Sequence, residues 1–167
     1  RGPMVLGLAG READGVILTV KPDLGAAIEV LEQSARNAGR ETPKRMYLGR
    51  ICYTPELLEG QRATLSFVLM DSPPRVLQSL GLDETAIAIV THAARTNDPS
   101  LVDPLVTEDL LRRYQIAGTR EECAAEVAKL ASEHHLHAVL IDALSPNLEA
   151  NFAVIRDSLP IIKGTIT

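Results

Sequence analysis

The feature that most limits what this chain can fold into is an apolar run, residues 16–20, that comes directly after a short helical segment. The run has no polar alternation apart from Thr19, which is the pattern of a parallel strand covered on both faces. The helix before it begins at Gly2-Pro3, because proline has no N–H to lose at a first helical position. A helix that leads into a doubly covered strand predicts an α/β fold with a parallel sheet.

The first helix has an apolar repeat of its own. Met4 and Leu8 fall one turn apart, and so do Val5 and Ala9. This spacing predicts that the four side chains form a buried stripe against the core. The free backbone N–H groups at the start of such a helix are a natural binding site for phosphate, but the spacing alone also fits an ordinary helix start.

The alternation of helices and strands continues along the chain. Apolar spacing predicts a helix that starts near Leu24 and is stopped by Gly39, and then a strand over residues 46–53. A long helical insertion follows, with helical patterns at residues 56–69, 75–80, 84–95 and 101–114. Within it, residues 86–90 fit a strand or a helix, and we assign them to a helix because two acidic residues precede the segment.

The last part of the chain carries clear helix-start signals. Thr119 and Glu122 predict a capping box for an amphipathic helix, which leads to a final strand at residues 138–142. Ser145-Pro146 is expected to begin a last helix that stops at Pro160.

Length and composition limit the class of protein. At 167 residues the chain is long enough for one domain with a real core, but it is shorter than the roughly 250 residues of a complete barrel. The net charge is −5 with both signs interspersed, so no basic stripe is present to bind nucleic acid. Aromatic residues are only 3% of the chain, which excludes a stacking platform for bases.

The compartment is predicted from cysteine usage and hydropathy. Cys52 and Cys123 lack any metal-binding or redox spacing, so buried, reduced thiols are the expected state. No apolar run approaches the roughly 20 residues that a membrane span needs, and no signal-peptide pattern is visible. We therefore expect a cytoplasmic protein without a membrane partner.

Two segments resemble a known family. The segment GPMVLGLAGREADGVIL, residues 2–18, resembles the start of the second half of the barrel in the bacterial luciferase-like monooxygenase superfamily. Within that superfamily, the segment resembles the F420-dependent reductases related to methylenetetrahydromethanopterin reductase. The segment IAGTREECAAEVAKLASEHHLHAVLID, residues 116–142, resembles the penultimate unit of the same barrel, with Arg120 in place of the usual proline.

The resemblance implies a fold and a domain. It implies that residues 1–167 are the C-terminal half of a (β/α)8 barrel with a helical insertion, and that the chain is a fragment or half of a longer protein. A half barrel exposes an apolar sheet edge, so we expect completion by the missing N-terminal half or by a second copy.

The resemblance also implies a function. It implies an oxidoreductase that uses coenzyme F420 for hydride transfer to a small organic substrate, with the half alone inactive. An FMN-dependent monooxygenase on the same fold is the first alternative, and a non-catalytic half barrel is the second. Any catalytic acid or base is expected in the other half, so no catalytic residue is assigned here.

The same resemblance implies binding residues. Gly2, Pro3 and Met4 are expected at the cofactor phosphate, together with Thr19 and Lys21 at the end of the first strand. Thr19 also fits a strand with no further role, and Lys21 also fits a solvated loop lysine. At the end of a helix, Arg113 is expected to bind an anionic group of the substrate, although adjacent arginines there also favour the helix dipole.

A histidine-rich segment at residues 133–137 suggests zinc at first sight. Three histidines so close together on a helix end and a short loop do not converge easily, and no carboxylate pair at ligand spacing accompanies them. We therefore predict no metal. His92, in the helical insertion, is more typical of a surface or core histidine than of a general acid.

Overall fold

A computed structural model describes residues 2–143 and 147–163, and within them the chain forms two parallel sheets surrounded by helices. The strands are β1 (Gly15–Leu18), β2 (Lys44–Gly49), β3 (Ile51–Cys52), β4 (Ile116–Ala117) and β5 (Ala138–Ile141). The helices are α1 (Pro3–Glu12), α2 (Leu24–Asn37), α3 (Pro55–Glu59), α4 (Arg62–Met70), α5 (Pro74–Ser79), α6 (Glu84–Thr96), α7 (Glu108–Tyr114), α8 (Arg120–Glu133) and α9 (Leu148–Ile162), with 3-10 turns at Lys21–Asp23, Pro99–Leu101 and Asp103–Leu105.

All the strand pairs of the described chain are parallel, as predicted. The three-stranded sheet has the order β1-β2-β5, and β3 pairs with β4 in a separate two-stranded sheet. Helices connect the strands, since α2 lies between β1 and β2 in the chain and α8 precedes β5. The α/β class of fold is therefore confirmed.

The predicted strand at residues 46–53 is divided in two. Arg50 separates β2 from β3, and the two pieces belong to different sheets. The partner of β3 is β4, which the sequence pattern missed because it is only two residues long. Residues 86–90 lie within α6, as predicted, and Asp83 caps that helix by accepting a hydrogen bond from the N–H of Ala86 at 2.8 Å.

The buried stripe predicted for α1 is wrong. Met4, Val5 and Leu8 are 87%, 61% and 53% exposed. The helix instead buries Leu6, Gly7 and Gly10. The two glycines lie against α2, where their missing side chains let the helices approach closely. Ala9, the fourth member of the predicted stripe, is partly buried against the core, so the prediction fails for the other three residues.

Among the other helix ends predicted from sequence, one is confirmed, one is wrong and one lies outside the described residues. The capping box at Thr119 and Glu122 is confirmed. The predicted start of the last helix at Ser145-Pro146 lies outside the described residues, and Asn147 caps α9. The predicted stop at Pro160 is wrong, because α9 continues to Ile162. A proline removes only one N–H from the last turn, and the N–H of Lys163 still bonds to the carbonyl of Leu159 at 3.0 Å.

Two groups of buried side chains form the core. The first fills the space between the three-stranded sheet and helices α1, α2 and α8, and the second fills the helical insertion, residues 55–114. The second group also includes Val20 and Cys52, which lie at the carboxyl ends of β1 and β3. The insertion therefore packs directly over the carboxyl edge of the strands. In residues 2–143 and 147–163, no helix has both the length and the apolarity that a bilayer crossing requires.

Candidate functional site

The carboxyl edge of a parallel sheet is where α/β proteins place their binding sites. Thr19 follows β1, Arg50 follows β2 and Asp142 follows β5. Gly49 lies opposite Ile141 in the register, and the N–H of Asp142 donates to the carbonyl of Gly49 at 3.0 Å. Arg50 and Asp142 are therefore neighbours across this edge.

One face of the sheet is buried and the other is apolar but open. Leu18, Tyr47 and Val139 form one row across the three strands, and this row packs in the core beneath the helices. Side chains alternate along strands, so the adjacent row lies on the opposite face. That row consists of Ile17, Met46 and Ala138, and Ile17 is 51% exposed. We call this second face the open face.

Polar groups border the open face at its carboxyl edge. By the same alternation, Thr19 continues the line of Ile17 on β1, while Arg50 and Asp142 come directly after the other two strands. Arg50 is only 8% exposed. The sequence analysis assigned no role to Arg50 or Asp142, although a charged residue directly after an apolar strand was a usable signal. An apolar surface with a polar border can hold a flat organic ligand.

The start of α1 reaches the same edge. Gly2 has an extended backbone and precedes Pro3, and no side chain caps the helix. Because α1 ends just before β1, it runs back along that strand and brings its first turn to the strand's carboxyl end. Val5 in the first turn lines a cavity of about 90 Å3 together with Thr19. The structure therefore brings the predicted helix start, which includes Met4, close to Thr19.

Lys21 has a different environment from the one predicted. Its Nζ atom donates to the carbonyls of Arg112 and Gln115 at 2.9 and 2.5 Å and to the carboxylate of Glu126 at 2.5 Å. The side chain is only 11% exposed. Two of these acceptors belong to the last turn of α7 and the residue after it, so the ammonium group caps that helix end.

Arg113 lies near Lys21 and away from α1. Both residues line an open groove between the Lys21–Asp23 turn and α8, separate from the cavity that contains Thr19. The guanidinium of Arg113 donates to Asp109 on its own helix at 3.2 Å, and its side chain is 47% exposed. The structure therefore divides the predicted site residues into two places, and the ligand roles of Lys21 and Arg113 stay predictions.

A buried ion pair, missed by the sequence analysis, borders the Thr19 cavity. Asp23 is 5% exposed and accepts two hydrogen bonds from Arg75, at 2.8 and 2.9 Å. Burial raises the pKa of Asp23, and the adjacent Arg75 guanidinium opposes this rise. No local pattern could have revealed the pair, because its members are 52 residues apart.

The two cysteines are free and buried. Burial raises the pKa of the Cys52 thiol to about 12 and that of the Cys123 thiol to about 11. Both thiols are therefore protonated at neutral pH and are poor nucleophiles. Among residues 2–143 and 147–163, no three His, Cys, Asp or Glu side chains gather in a way that could hold a metal ion.

Comparison with known proteins identifies relatives of this chain by sequence. No protein-family model matches the chain. The chain is 25% identical over 156 residues to the 5,10-methylenetetrahydromethanopterin reductase of Methanopyrus kandleri, a match that covers 89% of the chain and 45% of that enzyme. It is 26% identical to the reductase of the same name from Methanolobus tindarius, over 89% of the chain and 48% of that enzyme. The chain thus spans about half the length of the curated relatives it matches.

Solved structures agree with these relatives. The coenzyme F420-dependent tetrahydromethanopterin reductase of Methanopyrus kandleri matches 97% of the chain and 49% of its own length, with a TM-score of 0.72 and 23% identity. An F420-dependent secondary alcohol dehydrogenase, solved with an F420-acetone adduct, matches 97% of the chain with a TM-score of 0.60 and 16% identity. The predicted resemblance to the F420-dependent reductases of the luciferase-like superfamily is confirmed by these relatives.

Proposed function

We propose that this chain is the C-terminal half of a (β/α)8 barrel oxidoreductase that uses coenzyme F420 to transfer hydride to or from a small organic substrate. The observation that carries the proposal is the sequence similarity to methylenetetrahydromethanopterin reductases over 89% of the chain. The shared fold with two F420-dependent enzymes supports it. The carboxyl edge of the strands is the proposed site.

The residues at this edge fit the coenzyme. The open face offers apolar surface for a flat deazaflavin ring, and Ile17 is half exposed there. The start of α1 offers backbone N–H groups, free of any side-chain cap, to a phosphate. In this proposal the backbone N–H groups of Gly2 and Met4 donate to the phosphate, and Pro3, which has no N–H, fixes the start of the helix between them.

The deazaflavin, when bound, supplies the hydride chemistry. The role of this chain is to bind and orient the ligands and to exclude water. Thr19 donates its hydroxyl proton to a ligand atom above the open face. Arg113 belongs to the proposal as a ligand of an anionic group. Lys21 was predicted from sequence for the same role, but its ammonium group already bonds to three acceptors within the protein.

The names of the relatives support a choice of substrate class. Two of them are named for the reduction of methylenetetrahydromethanopterin. We propose a reduced pterin that carries a one-carbon unit as the substrate to test first. The two free thiols support a cytoplasmic location, which is part of the same proposal.

Two exposed apolar faces support the half-barrel assignment. On α1 the face consists of Met4, Val5 and Leu8, and on α9 it consists of Leu148, Phe152, Ile155 and Leu159. The helix α9 buries a separate stripe, which includes Val154 and Ile161, and it contacts α8. The two exposed faces flank β1 and β5, which are the free edges of the three-stranded sheet.

We propose that one partner closes both faces. The missing N-terminal half of the barrel fits both edges at once, because its strands would continue the parallel sheet from β5 round to β1. The relatives are about twice as long as the matched region, which leaves enough chain for that half. The half described here would then be inactive alone, because the catalytic acid or base lies in the other half.

Equilibrium binding tests the function. The intact protein, as its gene encodes it, is titrated with coenzyme F420 while the coenzyme's fluorescence is followed, and FMN is titrated in parallel as the control ligand. We expect saturable binding of F420 and much weaker binding of FMN. Tight FMN binding without F420 binding would contradict the proposal and favour a flavin-dependent monooxygenase.

A further inference from the structure

The short turn Lys21–Asp23, which follows β1 after two residues, contacts two separate parts of the helical insertion, residues 55–114. Lys21 bonds to the carbonyls of Arg112 and Gln115 at the end of α7. Asp23 forms its two hydrogen bonds with Arg75, which lies on α5 in the first half of the insertion. Residues of the insertion that are about forty positions apart in sequence are therefore held by the same three-residue turn.

Lys21 and Asp23 are fully paired in these contacts and largely shielded from water, whereas the Arg75 side chain is 35% exposed. An ammonium group has three N–H donors, and Lys21 uses them on three acceptors, the third of which is Glu126 on α8. The Asp23 and Arg75 pair uses both carboxylate oxygens, and the Asp23 side chain is only 7% exposed. A phosphate could reach Lys21 only by displacing one of its present partners. The geometry therefore favours a structural use of both charges.

The position of α5 determines the shape of the proposed site. Val76, next to Arg75 in sequence, lines the same cavity as Thr19 and Asp23. Val76 is fully buried, and it belongs to the core of the insertion together with Val20 at the end of β1. A shift of α5 would therefore move one wall of the Thr19 cavity.

We propose that Lys21 and Asp23 are positioning residues, which hold the helical insertion as a fixed wall of the Thr19 cavity, with Arg75 as the partner of Asp23. The inference rests on the proposed function for the identity of the site. It assigns Lys21 a role that differs from the phosphate ligand predicted from sequence. It also makes the insertion one wall of the cavity that Thr19 shares with the first turn of α1.

The test uses the intact protein and four variants. Lys21→Met and Arg75→Met remove one partner of each contact, and Arg75→Lys keeps the charge but loses the second hydrogen bond. Arg95→Met is the matched control, because Arg95 lies exposed on α6 within the same insertion. Hydrogen exchange of α5 and α7, the dissociation constant for F420, and KM and kcat with methylenetetrahydromethanopterin are measured for each.

We expect Lys21→Met to speed amide exchange in α7 because it removes the cap of that helix end, and Arg75→Met to speed it in α5 because it leaves the buried Asp23 without its partner. Each effect should be about tenfold or more. The F420 dissociation constant should rise by about two- to tenfold in both variants while kcat at saturating coenzyme and pterin changes less than about twofold, since α5 forms one wall of the Thr19 cavity, where the coenzyme is proposed to bind. Arg75→Lys should lie between the wild type and Arg75→Met. Arg95→Met should change none of these values.

Two results would overturn the inference. One is unchanged exchange in α5 and α7 in the Lys21 and Arg75 variants. The other is a large loss of F420 affinity in Lys21→Met with normal exchange in α7, which would make Lys21 a phosphate ligand. If the wild-type protein fails to bind F420, the proposed function is wrong, and the exchange rates still decide whether the turn holds the insertion.

Discussion

Gly10 of α1 lies so close to Leu31 of α2 that a Cβ atom added to the glycine would sit 2.6 Å from the Leu31 carbonyl oxygen. The same atom would be 2.7 Å from Cβ of Ser34, and neither neighbour is the far end of a flexible side chain. This close approach fixes α1 on α2. The proposed phosphate site depends on it, because the start of α1 must stay level with the end of β1.

Replacing Gly10 with alanine should therefore destabilise the protein. Alanine favours a helix over glycine by about 1 kcal/mol, but the overlap with backbone should outweigh this gain and give a net loss of about 1–3 kcal/mol. Gly7→Ala is the matched control, since its added Cβ would have no neighbour closer than 3.5 Å. Urea unfolding measures both variants. Equal stabilities for the two would contradict the packing described here.

The hydroxyl of Thr19 should contribute to coenzyme binding. Thr19→Val keeps the shape but removes the donor, so we expect the F420 dissociation constant to rise by about two- to tenfold, the range for one lost hydrogen bond. Thr19→Ser keeps the hydroxyl and should bind F420 as the wild type does. Equal F420 affinities in the valine variant and the wild type would mean that Thr19 has a structural role only and makes no contact with the coenzyme.

The apolar face of α9 should be covered in the intact protein. Phe152→Asp should then destabilise the intact protein by about 2–4 kcal/mol, because a buried site would receive a charge. Phe67→Asp is the matched control on α4, since Phe67 and Phe152 are 60% and 62% exposed in this half. Thermal unfolding of both variants measures the difference. Similar small effects would show that nothing covers α9.

The buried thiols should react slowly in the folded protein. Because burial raises the pKa of Cys52 to about 12 and that of Cys123 to about 11, almost no thiolate is present at pH 8. A thiol-specific chromogenic reagent should therefore modify both cysteines quickly in urea and very slowly without it. Fast modification of the folded protein would contradict the burial of these side chains.

The same thiols predict how stability changes at alkaline pH. An unfolded cysteine loses its proton near pH 9.0, but folded Cys52 retains it to about pH 12, so the folded state binds the proton more tightly in between. The free energy of unfolding should therefore fall as pH rises above about 9, by up to about 1.4 kcal/mol per pH unit for each such thiol. Urea unfolding of Cys52→Ala should give a shallower slope than the wild type over this range.

Local signals in the sequence predicted much of the fold. The N-cap at Thr119 and the helix over residues 86–90 depend on neighbours a few positions away, and both are confirmed. The parallel sheet followed from apolar runs that alternate with helices. The division at Arg50 was missed, because both β2 and β3 are apolar and only their partners in space differ.

The site was only partly predictable, because its geometry depends on distant contacts. Thr19 and the start of α1 could be placed at the carboxyl edge of the sheet from the sequence, because Thr19 directly follows β1 and α1 precedes that strand in the chain. Lys21 could not be placed, because its partner Glu126 is 105 residues away in the sequence. Met4 and Leu8 were assigned to the core because spacing identifies an apolar face without saying which part of a protein covers it.

Hydride transfer by the intact protein tests the central claim most directly. The protein is mixed with oxidised F420 and methyltetrahydromethanopterin, which is the reduced form of methylenetetrahydromethanopterin. The visible absorbance of the coenzyme is then followed. We expect the absorbance to fall only when protein, coenzyme and pterin are all present, and we expect that FMN does not replace F420. Unchanged coenzyme absorbance with pterin and with a series of small alcohols, in a protein that is folded, would contradict it.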